Sequence, residues 1–375
     1  MPKKLLMVVG ARPNFMKVAP LMRMMKADYR GRFHSVLVHT GQHYDPEMSE
    51  AFFRDLQIPE PDYNLGVGSA THSVQTARIM ERFEPVCEKE SPDCIVLFGD
   101  VNSTVACALV GAKNHVRIAH VEAGLRSFDR SMPEEINRVV TDVLSDYLFA
   151  TDAVAVENLR REGIPEERIL MVGDIMVDAL FWGKERAKTS TILERFGLAP
   201  GSYAVATLHR AANVDNFNVL SGLLQLLTEV SRHLTVVFPV HPRTKARLRE
   251  FGLLNKISGD KKGSNNLIII KPVGYIDFIR LIVDSKLVLT DSGGLQKETT
   301  LLEVPCLTLR DTTEWPLTVS QGTNRLLGSK PPVDKVLAVV KEILSGGERR
   351  EITLPKGWDG RTAERILHTL VERLD

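Results

Sequence analysis

The sequence predicts an α/β protein made of two doubly wound domains with a ligand cleft between them. Short apolar runs alternate with longer helical patterns from one end of the chain to the other. Most of those runs are continuous rather than alternating, as expected of strands buried on both faces. Polar clusters of unusual composition follow directly on the predicted strands, where an open parallel sheet places its ligands. At 375 residues the chain also exceeds the usual size of one hydrophobic core, so two domains are expected.

The first series of strands is read at residues 5–9, 35–39, 94–98, 117–120, 147–150 and 169–172. The second is read at 203–207, 235–240, 267–270, 287–290, 306–309 and 325–327. Helical patterns lie between them, for example over 73–88, with apolar Val74, Ala77, Ile79, Met80, Phe83 and Val86. This alternation implies parallel sheets with right-handed crossovers. The polar helical stretch 184–191 and the Ala199-Pro200-Gly201 break place the junction between the series within 173–200. Residues 355–375 carry Pro355 and Gly360 and then a terminal helical pattern.

Composition is that of an ordinary globular protein, 43% hydrophobic and 25% charged, with a net charge of +1. That balance gives no general electrostatic case for nucleic acid or an anionic membrane, so any bound anion must be held locally. The N-terminal apolar run ends at Gly10-Ala11-Arg12-Pro13, with a charge where a signal-peptide cleavage site would fall; it reads as a buried first strand. No apolar stretch approaches the roughly 20 residues needed to span a bilayer. Cys87, Cys94, Cys107 and Cys306 form no C-x-x-C pair or zinc-finger spacing. They are expected to be reduced core thiols in a cytoplasmic protein, with no metal site.

Several post-strand clusters offer chemistry. Asp291-Ser292-Gly293-Gly294 opens a helix after a strand; paired glycines let backbone N–H groups approach a phosphate, and the helix N-terminus favours negative charge. Glu298, one turn in, is placed to accept ribose hydroxyls. The competing reading is a tight turn with Asp291 or Ser292 as N-cap and Glu298 solvated. There is no G-x-G-x-x-G or G-x-x-x-x-G-K-[ST] sequence. Arg12 and Lys17 start a helix after Gly10, as phosphate ligands or as surface cations. Glu122 sits among Val121, Ala123 and Gly124, a poor place for a merely solvated carboxylate, with Asp100 on a neighbouring strand end. Glu134 has a structural competitor: Ser131-x-x-Glu134 fits a capping box, and Glu134, Arg138 and Asp142 are spaced for ion pairs along one helical face. His209 and His241 end two strands, either as diphosphate donors or as packed neutral rings.

Taken together, these residues resemble the non-hydrolysing UDP-N-acetylglucosamine 2-epimerases. The resemblance runs in order through GARPNFMK, TGQHYD, the Gly99-Asp100 turn, HVEAGLRS, PEEINR, TLHR, PVHP, DSGGLQKE and LRDTTE. It implies two Rossmann-like domains of the glycosyltransferase-B type, the first formed by 1–174 with a returning C-terminal helix at 361–375 and the second by 175–360. It further implies a homodimer, a UDP-sugar substrate bound between the domains, and no cofactor. By position, Asp100, Glu122 and Glu134 match the family's acid/base carboxylates and His209 its catalytic histidine. Arg12, Lys17, Arg138 and His241 match substrate contacts, Ser292, Gly293, Gly294 and Glu298 the diphosphate and ribose site, and Val273 and Phe278 the surroundings of uracil.

The chain departs from the commonest bacterial pattern at Asn14 and Lys297, each for a glutamate, at Ala211-Ala212 for an Arg-Glu pair and at Trp315 for an arginine. The loop between Glu122 and Glu134 is also shorter. Departures near Tyr44-Asp45 and Ala211 predict weak or absent activation by a second substrate molecule. Three rivals remain at this stage: an epimerase for a 2,3-diacetamido-glucuronate sugar nucleotide, a UDP-N-acetylglucosamine-dependent glycosyltransferase, and a non-catalytic sugar-nucleotide sensor.

Overall fold

The computed structural model describes residues 1–42, 55–254, 266–346 and 352–375. The chain divides into two compact units, residues 1–182 with 355–375, and residues 183–354.

The first unit is built on a seven-stranded sheet of β1 (Lys3–Val9), β2 (Phe33–His39), β3 (Tyr63–Asn64), β4 (Cys94–Phe98), β5 (Arg117–Ala123), β6 (Tyr147–Ala150) and β7 (Ile169–Met171). The order across the sheet is β3-β2-β1-β4-β5-β6-β7, and every pairing is parallel. The second unit has β8 (Tyr203–Thr207), β9 (Thr235–Pro239), β10 (Leu267–Ile270), β11 (Leu287–Thr290), β12 (Cys306–Thr308) and β13 (Asn324–Leu326). Their order is β10-β9-β8-β11-β12-β13, again all parallel. Both sheets are doubly wound, and each reverses its winding between two central strands, β1 and β4 in the first unit and β8 and β11 in the second. The crevice beyond the carboxyl ends at such a reversal is where these sheets bind ligands.

The apolar runs are continuous because the strands are covered on both faces. All five residues of β4 are buried, as are all four of β11. Val36, Ile79, Phe83, Ile95 and Leu97 meet in one core cluster of the first unit. Leu220, Leu223, Leu227, Phe238 and Leu289 meet in the core of the second. In the helix His72–Glu90 the buried face is Gln75, Ile79, Phe83, Val86 and Cys87. Val74 and Ala77, expected on that face, are exposed; Gln75 takes a place on it instead, its buried amide donating to the carbonyls of Gln42 and Gly68. All four cysteines are buried and free.

The chain's last helix, Thr362–Leu374, belongs to the first unit. Asp178 accepts from the backbone N–H groups of Thr362 and Ala363 at that helix's start. Ile366, Leu367, Leu370 and Leu374 form its buried stripe, which packs against the helix Arg12–Ala27.

Candidate active site

In the first unit the residues of interest gather where the sheet reverses. Asn14, in the helix after β1, accepts from the N–H groups of Gly10 and Ala11 and donates to the Phe98 carbonyl, joining the carboxyl ends of β1 and β4. Lys17, one turn later and buried, forms an ion pair with Glu122. Gly99 follows β4 with φ +63°, and a Cβ on it would stand 2.6 Å from the Lys17 ammonium. Glycine is therefore required here twice, by backbone conformation and by the close approach of a cation.

Glu122 is also in the left-handed region, with φ +77°. The β5–β6 register slips between Val121 and Ala123, so Glu122 is the extra residue of a bulge and is turned out of the pleat toward Lys17. A non-glycine residue held there stores on the order of 1–3 kcal/mol, and such strain persists only when the surroundings over-determine it. The surroundings here are the Gly99 N–H, donated to the Val121 carbonyl, and the Gly124 N–H, donated to Asp142.

Asp100 forms a two-pronged ion pair with Arg138, at 3.0 Å to Nε and 2.6 Å to a terminal nitrogen. Arg138 also binds Glu135 at 2.7 Å. Both structural readings of Glu134 fail. The N-cap position of the helix Pro133–Leu144 is Met132, because Pro133 starts the helix and Ser131 is drawn back to Asp129 by its hydroxyl and N–H. Glu135, not Glu134, closes the preceding loop, accepting from Ser127 and Phe128. The expected ladder through Arg138 and Asp142 is absent too, since Arg138 turns to Asp100 and Glu135, and Asp142 to His120 and Arg126. The Glu134 side chain makes no hydrogen bond or ion pair with another described residue. It lies one turn before Asn137 and Arg138, both bonded to Asp100, and so shares their face of the helix.

In the second unit the reversal point holds the other set. Asp291, fully buried after β11, accepts from the backbone N–H groups of His209 and Arg210 and from the Asn213 amide. It also pairs with His209 Nδ1 at 3.0 Å. Burial opposes ionisation of Asp291, but the His209 bond and charge and the backbone donors outweigh it and hold its pKa below the ordinary carboxylate value. The ionised carboxylate fixes a hydrogen on Nδ1 of His209, and the ring lies 5.7 Å from that of His241. His241 accepts from the Arg243 N–H through Nδ1, which places its own hydrogen on Nε2. Neither Asp291 nor Ser292 caps the next helix, Gly293–Leu301, with its side chain; Asp291 is occupied with His209. Val273 follows β10, and Phe278 lies in the next helix, Tyr275–Val283, both half-buried. Glu298 is half-buried in the second turn after the glycine pair.

Arg310 and Glu314 lie in the LRDTTE segment, but the sequence assigned them no role. Arg310 binds Glu314 in a bidentate pair at 2.7 and 2.8 Å, and Arg210 reaches the same carboxylate at 3.1 Å. Glu314 stands 3.0 Å from where a Gly293 Cβ would be. The Arg310 bonds, against the opposing effect of burial, bring its pKa down to about 2. A carboxylate gripped by two guanidinium groups over a glycine at a helix start marks an anion-favouring spot. The i, i+4 spacing of Arg310 and Glu314 was the available signal.

Arg12 begins its helix, but its side chain lies outside what the structure describes, as do His43, Tyr44 and Asp45. Gln42 is buried, accepting from the N–H and hydroxyl of Ser103. Among the described residues no group of three or more His, Cys, Asp or Glu side chains is placed to hold a metal ion, and no helix is long and apolar enough to cross a membrane.

Two doubly wound parallel units, with acidic groups at the reversal point of one and an anion-favouring helix start at that of the other, define an α/β protein suited to a nucleotide ligand. The UDP-N-acetylglucosamine 2-epimerase family model matches residues 25–371. A Methanocaldococcus jannaschii UDP-N-acetylglucosamine 2-epimerase is 42% identical over 374 residues, covering 98% of each chain. A UDP-2,3-diacetamido-2,3-dideoxy-D-glucuronate 2-epimerase of Pseudomonas aeruginosa is 43% identical, covering 87% of this chain and 88% of its own. The crystal structure of the M. jannaschii enzyme in complex with UDP-GlcNAc and UDP superposes with a TM-score of 0.82 at 42% identity, over 98% of this chain and 99% of that one. The chain belongs to the UDP-N-acetylglucosamine 2-epimerase family, whose members are isomerases, and its fold is the glycosyltransferase-B-like fold of its structural neighbours.

Proposed function

We propose that this protein interconverts UDP-N-acetylglucosamine and UDP-N-acetylmannosamine by elimination and re-addition. A base removes the C2 proton while the C1–O bond breaks, its electron pair leaving with UDP, and 2-acetamidoglucal remains. UDP then re-adds through oxygen at C1 as a proton is delivered to the opposite face of C2. Hydrogen and leaving group both return, so the net change is an inversion and no redox partner enters.

The observation that carries the reading is Glu122, turned out of its strand on a left-handed bulge beside Lys17. Asp100 and the helix bearing Glu134 lie next to it. In this reading Asp100, Glu122 and Glu134 serve as the acid/base carboxylates. His209, oriented by Asp291, faces the departing phosphate oxygen, and the start of the helix Gly293–Leu301 carries the diphosphate. Ser292, Gly293 and Gly294 hold phosphate oxygens, Glu298 the ribose, and Val273 and Phe278 flank the uracil. Arg12, Lys17, Arg138 and His241 complete the sugar and phosphate contacts. The chemistry requires both sets of groups on one substrate molecule.

The test is incubation with UDP-N-acetylglucosamine in D₂O. The expected result is both epimers carrying deuterium at C2; unlabelled substrate with no second epimer refutes the reaction. The Pseudomonas relative's similarity makes a 2,3-diacetamido-glucuronate sugar nucleotide the second substrate to assay, and a higher kcat/KM on it would reassign the sugar. A glycosyltransferase would need an acceptor, and a sensor has no use for three carboxylates arranged for proton transfer.

Homodimerisation in the cytoplasm forms part of the proposal. It is supported by Phe128, Met132, Ile136, Val139 and Val143, all exposed at 3–4 residue spacing along and before the helix Pro133–Leu144, and by the four buried free thiols. Light scattering of the purified protein is expected to give twice the chain mass, and Ile136→Glu to shift it toward one.

A further inference from the structure

We infer that His120 is a positioning residue that joins the carriers of all three proposed carboxylates as a buried imidazolium. The inference rests on the proposed reading of Asp100, Glu122 and Glu134. It concerns a group that reading does not use.

His120 lies on β5, two residues before Glu122, and is fully buried. Its Nε2 is 2.8 Å from the Gly99 carbonyl and its Nδ1 is 2.6 Å from Asp142 Oδ1. A carbonyl oxygen and a carboxylate oxygen are both acceptors, so each ring nitrogen carries a hydrogen and the ring bears a positive charge. Asp142 is ionised in this arrangement: its second oxygen accepts from the Gly124 N–H at 3.1 Å and pairs with Arg126 at 2.7 Å. Burial opposes that charge, and His120 and Arg126 outweigh it, keeping the Asp142 pKa below the usual value. Arg126 is itself held by Glu162. The other charged groups beside this cluster, Lys17 and Glu122, lie beyond Gly99.

The consequence is geometric. Gly99 is tied to β5 at both ends of its peptide units, its N–H to the Val121 carbonyl and its carbonyl to His120. Asp142 grips the residue two before Glu122 and the residue two after it. Asp142 is also carried on the helix that bears Glu134, and whose Asn137 and Arg138 bind Asp100. The end of β4, the bulge of β5 and this helix therefore meet at one imidazole. The strained φ of Glu122 is the kind of feature that needs such over-determination.

The test uses the full-length protein and two substitutions that split the ring's contacts. His120→Gln places an amide near the position of Nε2 and keeps a donor for Gly99. His120→Asn places one near Nδ1 and keeps a donor for Asp142. For a positioning role both are expected to lower kcat by about 10²-fold, the cost of misplacing reactive groups by about an ångström, with KM changed little and the same loss in the rate of deuterium wash-in at C2. Wild-type kcat with only a lowered Tm would show a purely structural residue and overturn the inference. Histidine-selective ¹⁵N NMR of the wild-type protein is read independently: both His120 nitrogens are expected to show the protonated pattern. A neutral-ring pattern overturns the inference even if the variants do not fold. If wild-type protein shows no epimerisation but an imidazolium at His120, the functional reading fails and the charged clamp stands.

Discussion

Gly99→Ala puts the most direct strain on the proposed site. Alanine at φ +63° costs on the order of 1–2 kcal/mol of backbone energy. Its methyl would also lie 2.6 Å from the Lys17 ammonium, well inside contact distance. The lysine is the flexible partner and must move, which opens its pair with the half-buried Glu122. A charge-assisted contact of this kind contributes about 1.5–3 kcal/mol, so if Lys17 acts on the reacting system, kcat is expected to fall roughly 10- to 100-fold. Stability should fall by the backbone term and the opened contact together, about 2.5–5 kcal/mol, a Tm decrease of roughly 5–20 °C. The assay is C2 deuterium exchange by NMR alongside thermal unfolding, repeated on Lys17→Ala. With the lysine tip gone the clash is gone, and Gly99→Ala is expected to add almost nothing to the rate loss; such non-additivity is the signature of contact. Full turnover in Gly99→Ala, or rate losses that simply multiply in the double variant, would refute the claim that Lys17 must stay against Glu122.

Glu134→Gln is expected to lower turnover at least about 100-fold while changing stability by less than about 0.5 kcal/mol; retained activity with a clear Tm loss would return Glu134 to a structural role. Asp291→Asn should release His209 and lower kcat more than it raises KM; equal effects on both would mean that Asp291 serves substrate binding alone. Burial raises the Asp178 pKa to about 6 against the two backbone donors that favour its charge. The folded state therefore holds this proton more tightly than the unfolded one. The stabilisation is complete below about pH 4 and is lost as the pH rises toward 6, by at most about 3 kcal/mol. Denaturant titrations across that window should show this slope in the wild type and its absence in Asp178→Asn. Velocity is expected to be hyperbolic in UDP-N-acetylglucosamine; sigmoidal kinetics abolished by substitution at Gln42 or His43 would contradict the expected lack of substrate activation.

All twelve strands read from the sequence are present because doubly covered strands announce themselves as unbroken apolar runs. The thirteenth, Tyr63–Asn64, is two residues long and carries no such run. β5 runs on through Ala123, past the expected end at residue 120, since a bulge lets a charged residue interrupt the apolar pattern without ending the pairing. The sequence marked Glu122 as oddly placed but gave no hint of its positive φ, because Val-Glu-Ala contains no residue that favours it. The cap offered by Ser131-x-x-Glu134 does not form because Pro133 claims the first helical position and Asp129 claims the serine. His120 and Asp142, 22 residues apart in the chain, and Asp291 beneath His209 became visible only when folding brought strand ends and helices together.

The terminal helix Thr362–Leu374 has a consequence for the order of events during synthesis. The first unit's strands leave the ribosome early, yet the stripe of Ile366, Leu367, Leu370 and Leu374 that covers the helix Arg12–Ala27 arrives last, after the whole second unit. Until then the nascent first lobe exposes an apolar trough, the kind of surface on which partly made chains aggregate or are held by chaperones. A chain cut short anywhere between residues 135 and 361 would retain that defect permanently, with every proposed catalytic carboxylate already made.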